Sequence, residues 1–350
     1  MISVYKHGVI LSKTGESFEE IAVLNPALIQ VGKEIKMLYR AVSSDHRSSI
    51  GICTLKSSTE VIHRDTEALL VPEQAYEQLG IEDPRMVCIE SIYYLTYTAY
   101  DGTNALGALA SSKDLVHWKR HGIMVPQITY HDFQEYYKEQ KHLNEKYRRY
   151  NKPLNGVTTA LKTPLIWDKN VLLFPRKIDD KFCFLHRIKP DIQIVLGVDN
   201  IEDISDDFWR NYFSEFDKHI LMKPIHDHEV SYIGGGCPPI ETKDGWLLIY
   251  HGVHDTIDGF VYSVCAALLN IESPCNEIGR LPYPLFYPDQ SWEINGEVNN
   301  VCFPTGTIIE GDTLYIYYGA ADEQIAVAST SLSSLLLEVS LYPLKTSSHE

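Results

Sequence analysis

Residues Glu82-Asp83-Pro84-Arg85 place two acids, a proline and an arginine directly before the aromatic run Ile92-Tyr93-Tyr94-Leu95-Thr96-Tyr97. A carboxyl group at the mouth of a strand that wants burial is either an Asx-turn fixed by the proline or a proton donor. A second polar stretch, HDHEVSYIGGGCPPIE (226–241), holds His226, Asp227, His228 and Glu229 ahead of three glycines. Glycines let a backbone approach a ligand closely. His226 and His228 would share one face of a strand, but two histidines and a nearby acid make a weak metal signal. A polar loop beside a site is the expectation, with no metal.

The elements that must hold these residues are short strands. Tyr, Val, Ile and Thr recur in runs separated by turn residues, and helical stripes are rare, so the chain is read as all-β. One pattern repeats five times, in which a proline leads through a polar turn to a strand carrying an aromatic residue or histidine. Pro26 leads to Tyr39, Pro84 to Tyr97, Pro175 to His186, Pro238 to Tyr250 and Pro304 to Tyr317. A second apolar strand follows each copy: SSIGICTL, NALGALASS, DIQIVLGV, VYSVCAALL and QIAVAST. Five multi-strand units predict a five-bladed β-propeller spanning 1–350 as one domain. The residues after the aligned aromatics are Arg40, Thr98, Arg187, His251 and Tyr318. Polar side chains at equivalent inner positions would converge near the propeller axis.

The widest gap between the prolines, from Pro84 to Pro175, implies an insertion. Residues 127–155 hold it, with a helix expected over 131–150 from the Phe133/Tyr137 and Leu143/Tyr147 pairs and a stop at Asn151-Lys152-Pro153. A second helix is expected over 203–218, capped by Asp203 or Ser205. The insertion is read as decoration or as a contact between copies in a homo-oligomer.

The chain has 350 residues, a net charge of −16 and a pI near 5.3. Such an acidic surface repels nucleic-acid backbones and anionic membranes. No apolar run is long enough to span a bilayer, and the N-terminal residues are too polar for a signal peptide. The seven cysteines form no CxxC pair, which suits reduced thiols in a cytoplasmic protein.

Five motifs in order, IEDPRM, FPRKIDDKFCFLHR, GGGCPPIETKDGWLLIYHGV, FPTGTIIEGDTLYIYYGAAD and the tyrosine-rich strand after the first, resemble glycoside hydrolase family 130. The resemblance runs from about Asn25 to about Ala328 and implies inverting cleavage of β-mannosidic bonds in a funnel on a propeller axis. It implies that Asp83 is the acid, acting through a mannose hydroxyl, and that no metal or cofactor is needed beyond inorganic phosphate in a phosphorylase. Phosphate would be held by Lys169, Arg187 and His251. Tyr232 stands where the family usually carries a cation, which weakens a phosphate site. The sequence therefore slightly favours a β-mannosidase over a phosphorylase, with Glu229 as base. Arg40, Arg85, Asp227, Tyr232 and Asp322 are expected to bind a small β-mannose oligosaccharide. A non-catalytic sugar-binding propeller is the reading from another class.

Overall fold

A computed structural model describes residues 2–140, 143–152 and 163–344. The chain is mostly β. After β1 (Tyr5–Leu11), four antiparallel strands form the first unit: β2 (Ala22–Val31), β3 (Glu34–Val42), β4 (Ser48–Ser57) and β5 (Glu60–Arg64). The second contains β6 (Gly80–Ile89), β7 (Ile92–Tyr100), β8 (Ala105–Ser112) and β9 (Trp118–Ile123). It joins the first through a single parallel bridge, Ser48 to Gly80. The third is β10 (Lys169–Leu173), β11 (Phe182–Arg187), β12 (Ile192–Val198) and β13 (Ile220–Met222). The fourth orders β14 (Tyr232–Gly235), β16 (Gly245–Thr256), β17 (Gly259–Leu269) and β18 (Glu277–Arg280), with β15 (Ile240–Thr242) also on β16. The fifth is β19 (Cys302–Glu310), β20 (Thr313–Ala320) and β21 (Gln324–Ser331), completed by β1.

The central strands are largely apolar because both of their faces are covered. On β16, Leu247 and Ile249 point to a cluster with Leu314 and Ile316 of the fifth unit. Trp246, Leu248 and Tyr250 point the other way, to Leu185 and Ile194 of the third. The same alternation on β3 sends Met37 and Tyr39 to Tyr317 and Val327, and Leu38 to Leu95 and Tyr97. A further cluster joins Leu109 of the second unit to Phe184 and Val195 of the third. Five clusters, each between two neighbouring units, thus close a ring from first to fifth and back.

The inner strands of the first three units carry matching irregularities. Register breaks between Leu24 and Ala27, Glu82 and Arg85, and Lys169 and Leu172. Asn25, Asp83 and Asn170 sit in these bulges with φ of 51°, 50° and 59°. Asn and Asp tolerate this left-handed backbone better than other side chains, and the bulge re-aims them out of the ladder. Pro175 follows β10, and Pro238 follows β14, so neither marks this inner position as Pro26 and Pro84 do.

A staple also recurs. Glu19, Glu77, Glu229 and Glu293 are fully buried. Each accepts a hydroxyl donor from a central-strand tyrosine: Tyr39 at 2.8 Å, Tyr97 at 2.6 Å, Tyr250 at 2.9 Å and Tyr318 at 2.6 Å. Each also pairs with one cation, respectively Arg64, Arg120, Arg280 and Lys6. The third unit departs, with Asp168 bonded to His186 at 2.7 Å and His186 to Tyr212 at 2.7 Å. The staple puts Tyr318 level with Tyr39, so Gly319 is the residue that matches Arg40; Tyr318 is fully buried in the core.

The helical insertion is split. α1 (Tyr130–Glu139) and α2 (Lys146–Tyr150) replace the single helix expected over 131–150. Residues 141–142 and 153–155 of the expected insertion, Pro153 included, lie outside the described residues. α3 (Asp206–Ser214) is shorter than expected and is capped by Ser205, whose Oγ accepts from Phe208 N at 3.2 Å. Phe133, Tyr147, Phe213 and Phe216 pack these helices into one core. α4 (Ser291–Ile294) lies on β20, and α5 (Leu332–Ser340) on β17, β18 and β21. Five cysteines are buried, Cys88 and Cys275 are exposed, and all seven are free thiols.

Candidate active site

A cavity of about 280 Å³ opens where the inner strands meet. Its wall includes Arg40, Asp83, Lys169, Arg187, Tyr232 and Asp322, six of the residues singled out in the sequence. Asn25, Trp167, Asn170, Lys189 and Tyr262 line it too. A larger hollow of about 760 Å³ beside α5 brings together no comparable set of cations.

Asp83 is buried, and its Oδ1 accepts from Asn25 Nδ2 at 2.7 Å and from Arg40 Nη1 at 3.4 Å. Burial pushes its carboxyl up, but the charges of Arg40, Lys169 and Arg85 and the Asn25 bond outweigh this and hold it below its ordinary value. Asp322 goes the other way: burial, helped by the negative charges of Asp83 and Glu82, pushes it up to about 6 against the pull of Arg40 and Lys169. Asp322 also sits in left-handed backbone, at φ 53°.

Lys169 and Arg187 face each other across the β10–β11 pair. Among the described residues neither has a carboxylate within ion-pair distance, and Arg187 Nε has no hydrogen-bond partner. Burial and mutual repulsion lower Lys169; burial lowers Arg187 as well. Asn170, between them and β14, has its whole side-chain amide unpartnered and buried. Two cations and an unsatisfied amide around one space form a receptor for an oxyanion.

His251 is fully buried just behind this wall, with both ring nitrogens unpartnered. The glycine run explains its position. It is a buried inner strand, not the polar loop expected from sequence. A Cβ on Gly234 would lie 2.5 Å from His251 Nε2 and 2.8 Å from Asn170 Nδ2. Burial, then the charges of Arg187, Arg85, Lys189 and Lys169, hold His251 well below its ordinary value, so the ring is neutral.

Three expected site residues are placed elsewhere. Arg85 points away from the cavity: its Nη1 donates to Asp83 O at 2.7 Å and its Nε to Gly236 O at 3.0 Å. It clamps the turn that carries Asp83 and is absent from the cavity wall. Asp227 is exposed on a short 3-10 turn and is absent from the wall. Glu229, the expected base, is the fourth staple. Its Oε1 accepts from Ile225 N at 2.9 Å, His226 N at 3.1 Å and Arg280 Nη1 at 2.9 Å, and Tyr250 occupies Oε2. A carboxylate so engaged has no lone pair turned to a water in the cavity. His226 and His228 stack at 5.6 Å on the same turn, and among the described residues no cluster suits a metal ion.

Asn25, Asn170, Trp167, Tyr262 and Lys189 were not picked out as site residues from the sequence. Asn25 had a signal, standing before Pro26 as Asp83 stands before Pro84; Asn170 had none, because the proline of its unit lies five residues further on.

Comparison with known proteins gives the family. The model of the family described as beta-1,4-mannooligosaccharide phosphorylase matches residues 2–148 and 128–339. A 1,2-beta-oligomannan phosphorylase of Thermoanaerobacter sp. (strain X514) is 31% identical over 338 residues, covering 93% of this chain and 96% of its own. A beta-1,2-mannobiose phosphorylase of the same organism is 32% identical, covering 91% and 93%. In fold, the chain superposes on the beta-1,2-mannobiose phosphorylase of Listeria innocua with a TM-score of 0.73 at 22% identity, covering 97% of this chain and 100% of that one. The chain is therefore an enzyme of glycoside hydrolase family 130.

Proposed function

We propose that this enzyme is an inverting β-mannoside phosphorylase, built as a five-bladed propeller with its site on the axis. The observation that carries this is the facing pair Lys169 and Arg187, cations in the cavity wall without carboxylate partners among the described residues. Unpaired buried cations are costly unless an anion completes them. A phosphate dianion does so, and a neutral water does not. The sequence leaned to hydrolysis through Glu229 and the missing cation at Tyr232. With Glu229 tied into the fold, hydrolysis loses that base.

In this mechanism a phosphate oxygen bonds to the anomeric carbon from below as the glycosidic C–O bond breaks. A proton from Asp83 reaches the departing oxygen, relayed by a mannose hydroxyl, and the phosphate's own proton restores Asp83. The bound dianion offsets the cations that hold Asp83 low, so phosphate itself raises the acid toward a protonated state. Arg40, Asp322 and Tyr232 contact the sugar, and His251 backs the phosphate as a neutral donor. The names of the two Thermoanaerobacter relatives make β-1,2-linked mannosides the first substrates to try.

The test is product analysis by NMR with β-1,2- and β-1,4-mannobiose, with and without inorganic phosphate. The expected product is α-mannose 1-phosphate, formed only with phosphate. Free α-mannose released equally fast without phosphate would overturn the proposal in favour of hydrolysis.

A further inference from the structure

We propose that Lys189 is a phosphate-binding residue of this enzyme, completing the anion receptor of Lys169 and Arg187 from a seat between Tyr232 and Tyr150. This rests on the phosphorolysis reading above. None of the sequence motifs marked Lys189, yet it lines the cavity two residues beyond Arg187. Its ammonium stands 3.8 Å above the Tyr232 ring centroid and 6.0 Å from that of Tyr150. Aromatic faces hold a cation in place without neutralising it. Among the described residues no carboxylate pairs with it, so its charge is open to the cavity.

The helical insertion supports this seat. Asn151, just past α2, donates through Nδ2 to Lys189 O at 2.9 Å, and Tyr150 is the last residue of α2. Tyr147, one turn earlier, anchors the helix by donating to Asp191 Oδ2 at 2.8 Å. The insertion therefore braces a residue of the cavity wall from behind, a role beyond decoration. Tyr232 in turn is held by Tyr262, their hydroxyls 2.5 Å apart. A tyrosine in place of a cation at 232 thus still leaves a basic side chain at this point of the wall, because the ring carries Lys189 from the turn between β11 and β12.

The titratable groups around Lys189 are Arg187 on β11, Lys169 on β10, Tyr232 on β14, His251 on β16 and Tyr150 on α2. Burial first, then Arg187 and Lys169, lower its amine to about 6. Near neutral pH the empty cavity therefore holds mostly the neutral amine. A dianion beside it restores the charged form, so phosphate binding draws a proton onto Lys189.

The test is Lys189→Met, which keeps the apolar stem over the rings and removes the charge. The KM for phosphate should rise more than tenfold, while the KM for the mannoside stays within twofold. Calorimetry of phosphate binding at one pH, in buffers of different ionisation enthalpy, should show extra proton uptake in the wild type that the variant lacks. Adding Tyr232→Lys to Lys189→Met should recover much of the phosphate affinity. If Lys189→Met folds poorly, Tyr150→Leu, which removes one face of the seat, should still raise the phosphate KM severalfold. A phosphate KM within twofold of wild type, with unchanged proton uptake, would overturn the role of Lys189 and leave phosphorolysis standing. A wild-type enzyme that needs no phosphate would overturn the underlying reaction instead.

Discussion

Asp83 and Glu229 are both buried carboxylates in acid-rich stretches, and the sequence assigned both to catalysis. Their surroundings differ in one respect. Glu229 has four donors on its two oxygens, two of them backbone N–H groups of its own turn. Asp83 has donors on Oδ1 alone, from Asn25 and Arg40, and its other oxygen faces the cavity with no hydrogen bond from a described residue. A saturated carboxylate is a structural part, whereas a half-satisfied one beside an open space has capacity left for a ligand. Repetition makes the same distinction. The Glu229 arrangement occurs in four units, while the left-handed bulge holds an acid only at Asp83 and an asparagine at Asn25 and Asn170.

The largest effect expected from breaking this comparison is at Asp83. Asp83→Asn keeps the shape and the bond from Asn25 but cannot give up a proton. Turnover should fall by about 10²–10⁴-fold, the usual contribution of a general acid, with little change in melting temperature. Activity within tenfold of wild type would remove Asp83 from the mechanism. Glu229→Gln should do the reverse. It leaves Arg280 paired with Glu277 alone and should cost about 1.5–3 kcal/mol in urea unfolding, while turnover of the folded protein at low temperature stays within severalfold. Unchanged unfolding with a hundredfold loss of turnover would restore Glu229 as a base.

The β-rich character of the chain was legible because strand alternation and turn residues are local properties of the chain. The phase of the repeat was harder. Proline marked the bulge only at Pro26 and Pro84. In the third unit the equivalent irregularity is at Asn170, five residues before Pro175, and in the fifth the bulge is one residue shorter, between Pro304 and Gly306. Aligning on proline therefore put Tyr318 at the inner position that Gly319 occupies. A glycine is needed there, because a Cβ would come within 2.0 Å of Asn25 Oδ1, the side chain that holds Asp83. Of the residues that the repeat and the resemblance picked out, Lys169 and Arg187 come together in the cavity wall. The site was not legible at Lys189, whose role depends on Tyr232 and Tyr150, distant in sequence and adjacent only after folding. Glu229 failed for a related reason: the tyrosine and arginine that saturate it lie 21 and 51 residues away.

The smallest expected effect concerns Asp322, the second carboxylate of the cavity wall, and it sharpens the contrast with Asp83. Burial, together with the negative charges of Asp83 and Glu82, raises Asp322 to about 6 against the pull of Arg40. An unfolded aspartate titrates near 4. Between these values the folded protein keeps a proton that the unfolded chain has released, so ionisation of Asp322 lowers stability as pH rises from about 4 to about 6. The loss is complete above that window and absent below it. Asp83, held low, contributes the opposite slope at more acid pH. Asp322→Asn removes the first slope and leaves the second. Measured by thermal unfolding, the variant should match or trail the wild type at pH 4 and gain on it by a few degrees at pH 7. A difference between the two proteins that does not change across this range would mean that Asp322 ionises as freely as an exposed aspartate. The two cavity carboxylates would then not be split into one held ionised and one held protonated in weak acid.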